Sequence, residues 1–212
     1  MGFRQKGIVI VFHLLYTVDK VFDCKEEMAV RIKKEETAAL VVDIQERLIP
    51  VIDQGAEVVR RNVILLEGLK ILGVPRVFMR QYPKGLGDIV PEIREAAGEY
   101  VPFDKLAYSA MKDAPLAAEM ERLRGTGVKS VLVCGVESHV CVLQTCIDLK
   151  EAGFLPVLVV DAVGSRSAFE KEIGLKRAMQ EGVLLTTAEA VLFELLEVAG
   201  TEAFKAISKL VK

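Results

Sequence analysis

Histidine is almost missing from this chain: of its 212 residues only His13 and His139 carry an imidazole. A His-rich zinc cage needs three or four such ligands, so any metal would have to rest mostly on carboxylates or thiolates, and neither a metal nor another cofactor is expected. Cysteine is scarce too. Cys24, Cys134, Cys141 and Cys146 are too few and too irregularly spaced to staple a domain of this size, and no two form a Cys-x-x-Cys pair. They read as core thiols or chemically active ones in a reducing compartment, the cytoplasm. An excess of charge of one sign is also lacking. Twenty-eight basic and thirty acidic side chains leave a formal charge of −2, so no field exists to hold nucleic acid or an anionic membrane nonspecifically. With 51% hydrophobic and 27% charged residues, general disorder is excluded as well.

Long hydrophobic runs are absent. The apolar stretch at residues 7–16 (GIVIVFHLLY) follows Arg4 and Lys6 like a weak signal sequence. It is too short to span a bilayer, and the charged residues 23–27 (DCKEE) follow it instead of a small-x-small cleavage site. Residues 1–34 therefore read as an extension, either an overextended start or a peripheral segment, and residues 35–212 as one domain.

What is present from Lys34 onward is an alternation of apolar, branched runs with amphipathic stretches, which reads as βαβ units. Residues 38–44 (AALVVDI) have the continuous apolar character of a strand buried on both faces of a parallel sheet. A helix over residues 55–72 is stopped by Gly73. Further strands are expected at 75–80, 131–136, 156–163 and 183–186, with an edge strand at 100–103. Helices are expected near 89–97, 113–124, 139–152, 167–181, from 188, and over 201–211. Ser167 with Glu170, and Thr186 with Glu189, are read as capping boxes. The pattern predicts a doubly wound α/β domain of three α/β/α layers.

In such a sheet the ligand crevice lies outside the carboxyl ends of the strands. There the sequence places Asp43 and Gln45, then Arg80, Gln81 and Tyr82, then Asp104 and Lys105, then Glu137, Ser138 and His139. Cys141 falls on the first turn of the following helix, where the positive end of the dipole and free backbone N–H groups would stabilise a thiolate. A neighbouring lysine would lower the thiol pKa further, and an aspartate could carry its proton. A cysteine in an apolar helix is, equally, an ordinary small core residue. His139 is the rival base, but residues two apart on a helix diverge by about 200°, so it reads as a helix-start or pocket-lining residue. Cys134 and Cys146 read as core thiols, or as partners for an oxidised Cys141 in a redox sensor.

Five segments carry a resemblance: residues 39–48 (ALVVDIQERL), 80–87 (RQYPKGLG), 103–111 (FDKLAYSAM), 131–153 (VLVCGVESHVCVLQTCIDLKEAG) and 159–167 (VVDAVGSRS). In their order and content the chain resembles the isochorismatase-like cysteine hydrolase superfamily. The resemblance implies a six-stranded, mostly parallel sheet and a catalytic triad of Asp43, Lys105 and Cys141. It also implies a cis peptide between Val136 and Glu137, with the amides of Glu137 and Cys141 forming an oxyanion hole. Asp43 would accept the thiol proton while Cys141 attacks a carbonyl carbon. A thioester would form as the amine leaves, and water would release the acid. Gln45, Tyr82, Tyr108 and His139 are candidate substrate contacts by position.

The departures from the superfamily matter. Its nicotinamidases bind metal through an Asp and several His residues, which this chain lacks. Its true isochorismatases do not carry a cysteine at the nucleophile position. Glu137 stands where many relatives have a small or hydroxyl residue. The expectation is a cofactor-free hydrolase of a small amide or related carbonyl compound that self-associates. A thiol redox sensor and a noncatalytic binding member of the fold are the alternatives.

Overall fold

The computed structural model describes residues 30–212, so the readings made on the apolar run at 7–16, His13 and Cys24 lie outside the described residues. Six strands form one sheet: β1 (Thr37–Val42), β2 (Arg76–Gln81), β3 (Phe103–Lys105), β4 (Ser130–Val136), β5 (Leu155–Gly164) and β6 (Leu184–Thr186). Their order is β3-β2-β1-β4-β5-β6 and every neighbouring pair is parallel.

Strand alternation sorts the core into two slabs. Ala39, Val41, Leu132, Cys134, Val157 and Val159 face one side, and Ala38, Leu40, Val42, Val131, Val133 and Leu158 face the other. Helix α1 (Gly55–Leu72) contributes Leu65, Leu66 and Leu69 to the first slab. Between α1 and the later helices come the short α2 (Pro83–Leu86), then α3 (Pro91–Ala97), α4 (Ala114–Gly125), α5 (Leu143–Glu151) and α6 (Ala168–Gln180). α4 and α5 close the second slab with Leu116, Met120, Leu123, Cys146 and Leu149, and α6 adds Ala178. α7 (Ala188–Leu196) and α8 (Glu202–Leu210) return to the first slab, where Val191, Leu192, Leu195 and Ile207 are buried. The result is the three-layer α/β/α architecture with the sheet buried on both faces, which is why its strands are continuously apolar.

The local signals fall close to where the residues predict them. Gly73 ends α1 in a left-handed conformation (φ 72°), its N–H reaching Leu69 O and Lys70 O. Ser167 caps α6 by accepting from Glu170 N–H. The cap of α7 is Thr187 and not Thr186, because β6 runs through Thr186. The edge strand sits at 103–105 and not at 100–103, which puts Lys105 on the strand itself. Ile32, expected in the extension, is buried, and its N–H donates to Glu194 Oε1 at 3.0 Å. None of the described helices is long and apolar enough to cross a membrane.

The chain winds outward from β1 through β2 to β3, and outward again from β4 through β5 to β6. The reversal therefore lies between β1 and β4, and beyond their carboxyl ends is where a doubly wound sheet forms its crevice.

Candidate active site

Three side chains meet at that crevice. Asp43 directly follows β1 in a left-handed conformation (φ 53°), a region that aspartate tolerates better than most residues. Lys105 ends β3 in register with Gln81 of β2. Cys141 lies beyond β4, brought in by a close approach of strands: Gly135 has φ 108°, and a Cβ there would stand 2.0 Å from Val42 O. Only glycine lets β4 press against β1 at this point.

The Asp43 and Lys105 side chains are both fully buried, with Lys105 Nζ donating to Asp43 Oδ2 at 2.7 Å. The ammonium also donates to Gln81 Oε1 at 2.6 Å, Tyr108 O at 3.1 Å and Ala107 O at 3.3 Å. This cage meets the cost of burying a cation, because all of its N–H donors are engaged. Asp43 Oδ1 is buried without a formed hydrogen bond. The Asp43 carboxylate and the Cys141 thiol act on each other's protonation.

Burial raises the Asp43 carboxyl to about 6 even though Lys105 pulls the other way. Burial also pushes the Cys141 thiol up to about 12, the Asp43 charge adding to the rise and Lys105 opposing it. This corrects the expectation of a lowered thiol pKa. Residues 138–142 form a π-helical turn ahead of α5, so Cys141 is not on the first turn of an α-helix, and it is 7% exposed. With Lys105 committed to Asp43, desolvation and a carboxylate neighbour outweigh the attraction of the ammonium. Cys134 and Cys146 are buried free thiols, also raised to about 12, as core residues should be.

The other expected contacts divide. Gln45 is fully buried: its amide donates to Gln81 O and Gly87 O, and Oε1 accepts from Gln81 N–H. It is a bracket between β2 and the loop before α3. Tyr82 and Tyr108 are 51% and 58% exposed, on segments that touch Lys105 through backbone groups. His139 is held at Nδ1 by Ser165 Oγ (2.9 Å), with Nε2 3.6 Å from Glu170 Oε2, so its ring is engaged with the start of α6. The Val136–Glu137 peptide bond is cis. The Glu137 carboxylate accepts from Arg166 at 2.6 and 3.3 Å. Arg166 is the partner that sequence reasoning did not single out, and Gln81, placed at the crevice by sequence, was not paired there with Lys105. The pairing of Gln81 with Lys105 becomes visible once β2 and β3 are aligned, and nothing local in the sequence announces the pairing of Arg166 with Glu137.

A groove of about 770 Å³ runs past Ile52, Val59, Val63, Val90 and Ala96, between α1 and α3. None of the three meeting side chains lines it.

Residues 37–190 match the isochorismatase domain model. The chain is 37% identical over 188 residues to the secreted isochorismatase effector Isc1 of Phytophthora sojae, covering 86% of this chain and 87% of that protein. It is 38% identical over 170 residues to the isochorismatase domain-containing protein 1 of Danio rerio, covering 80% of this chain but 59% of the relative's length. Among solved structures, the MAR1 ribonuclease of Caenorhabditis elegans superposes with a TM-score of 0.79 at 37% identity, covering 86% of this chain and 92% of that one. With its six-stranded parallel sheet between two helical layers, the chain belongs to the isochorismatase family of hydrolases.

Proposed function

We propose that the chain is a cysteine hydrolase of small amides or related carbonyl compounds, working through a thioester on Cys141. One observation carries this reading: a buried Lys105–Asp43 pair that acts on the protonation of the Cys141 thiol and keeps one carboxylate oxygen, Oδ1, without a formed hydrogen bond. A carboxylate with its pKa near 6 is a better base than an ordinary aspartate, and a thiol held near 12 needs such a base at the moment of attack. Asp43 takes the thiol proton as Sγ bonds to the carbonyl carbon. The amides of Glu137 and Cys141 receive the oxyanion. Collapse expels the amine, which leaves with the proton from Asp43. Water then gives a proton to Asp43 and attacks the thioester, and the proton returns to sulfur as the acid departs.

The name of the worm relative raises RNA as a substrate. Phosphodiester binding calls for free cations at the site, yet Lys105 is caged by Asp43 and Gln81, and Arg166 is paired with Glu137. The amide reading needs no free cation at the site. We also read the chain as a cytoplasmic protein that self-associates, in keeping with its free thiols and with exposed Leu106, Phe169 and Ile173.

A panel of small amides and esters, followed by mass detection of the released acid, tests the reading. Wild type is expected to release product and to show an acyl adduct on Cys141 in quenched samples, while Cys141→Ala shows neither. Turnover that survives in Cys141→Ala would overturn it. The pH profile of kcat/KM is expected to rise about tenfold per unit below pH 6 and to level above it, because Asp43 must be ionised to act as base. The thiol, near 12, adds no second limb at neutral pH.

A further inference from the structure

The segment after β5, residues 165–167 (SRS), plays no part in the mechanism above. It nevertheless holds three successive residues of the nucleophile's turn. Arg166 donates to both Glu137 oxygens, at 2.6 and 3.3 Å. Ser165 Oγ shares a short hydrogen bond with Ser138 Oγ and stands 2.9 Å from His139 Nδ1. Both serines are buried.

Glu137 is the anomalous member. Its side chain is only 10% exposed, and it belongs to the residue whose amide faces the developing oxyanion in the proposed reaction. A bare carboxylate there would repel both the thiolate and the oxyanion. Around Cys141 the other charges are Asp43, which is also negative, and Lys105, which is committed to Asp43. On the far side, Glu170 of α6 adds negative charge near Arg166 and stands 3.6 Å, at Oε2, from His139 Nε2. Arg166 is thus the cation placed to cancel Glu137.

We propose that Arg166 is a positioning residue for hydrolysis: it neutralises Glu137, ties down the turn carrying Cys141, and so keeps the thiolate and the oxyanion accessible. The Glu137 charge is among the influences that raise the Cys141 thiol, in the direction this account requires. Arg166 is itself 66% exposed, so solvent screens its charge and the effect is moderate.

The inference rests on Cys141 being the nucleophile, and its test reads that thiol directly instead of turnover. Iodoacetamide labelling of Cys141 is timed between pH 7 and 9 and mapped by peptide mass. The proteins are wild type, Arg166→Gln, Arg166→Lys, Glu137→Gln and the Arg166→Gln/Glu137→Gln double variant. Arg166→Gln is expected to label about tenfold more slowly, the equivalent of about one pKa unit. Arg166→Lys stays within about threefold of wild type, because charge and not fork geometry is at stake. Glu137→Gln labels faster than wild type, and the double variant recovers at least the wild-type rate. Unlabelled Cys134 and Cys146 certify that each variant is folded, and Glu137→Gln tests the account on its own should Arg166→Gln fail to fold. Wild-type labelling of Arg166→Gln, or a double variant as slow as Arg166→Gln, would overturn the proposal and leave a purely structural staple. Those outcomes would leave the hydrolase reading standing. A wild-type Cys141 that resists labelling like Cys134 would overturn the nucleophile assignment and this proposal together.

Discussion

Lys105→Met is expected to remove activity by about 10³-fold at pH 7 and to lower stability by about 3 kcal/mol, a drop of roughly 6–12 °C in Tm for a chain of this size. The reason lies in what the ammonium does for Asp43. Burial alone drives that carboxyl upward, and the attraction of Lys105 is what holds it at about 6. Without the cation the carboxyl stays protonated at neutral pH and cannot accept the thiol proton. The acid limb of the pH profile should therefore move above neutrality in Lys105→Met, a shift that a mere packing defect would not produce. Protonation of Asp43 also limits the stability loss, because the buried charge can neutralise itself instead of remaining unpaired. In wild type the sign of the linkage is the same: the folded pKa of Asp43 lies above its ordinary 3.8. Its contribution to stability is fully present below that value and is lost as pH rises through about 6. Differential scanning calorimetry together with a pH–rate series checks both effects.

Gly135→Ala is expected to cost about 3 kcal/mol or more and to reduce the yield of folded protein. The new Cβ would lie 2.0 Å from Val42 O and 2.8 Å from Val42 N, all backbone, at a φ of 108°. Neither strand can step aside, because β1 and β4 are both central and pair along their whole length. Gly73→Ala is the control: its φ is also positive at 72°, but nothing lies within 4 Å of the added carbon, so its cost should stay near 1 kcal/mol. Denaturant midpoints of the two variants separate steric closeness from conformational strain. The close approach also matters to the site, because it brings the end of β1, with Asp43, against the turn that carries Cys141.

Much of this arrangement was legible in the residues. Continuous branched runs marked the buried strands, and the crevice rule pointed to the positions just beyond them, where Asp43 and Cys141 lie. Lys105 was marked as well, although its strand runs two or three residues later than the apolar pattern suggests. The ionisation of Cys141 was not legible. Helix position argues for a lowered thiol pKa, but burial and the companion of the thiol decide the sign, and both are properties of the assembled crevice. The bracket made by Gln45 was not legible for a related reason: its hydrogen bonds to Gln81 and Gly87 exist only once β2 and the loop before α3 lie beside it. Arg166 was hidden because its partner is 29 residues away, in a turn it meets only when β4 and β5 lie side by side.

Lys105 stands on β3, which has three residues, a neighbour on one side only, and a place at the sheet's edge. Asp43 follows a strand flanked on both sides. Edge segments open more readily than the body of a fold. Peeling β3 away would disperse the cage around the ammonium and hydrate Asp43 while the rest of the sheet stays intact. Heat or mild denaturant would then silence the enzyme through fraying at one margin, before the molecule as a whole unfolds.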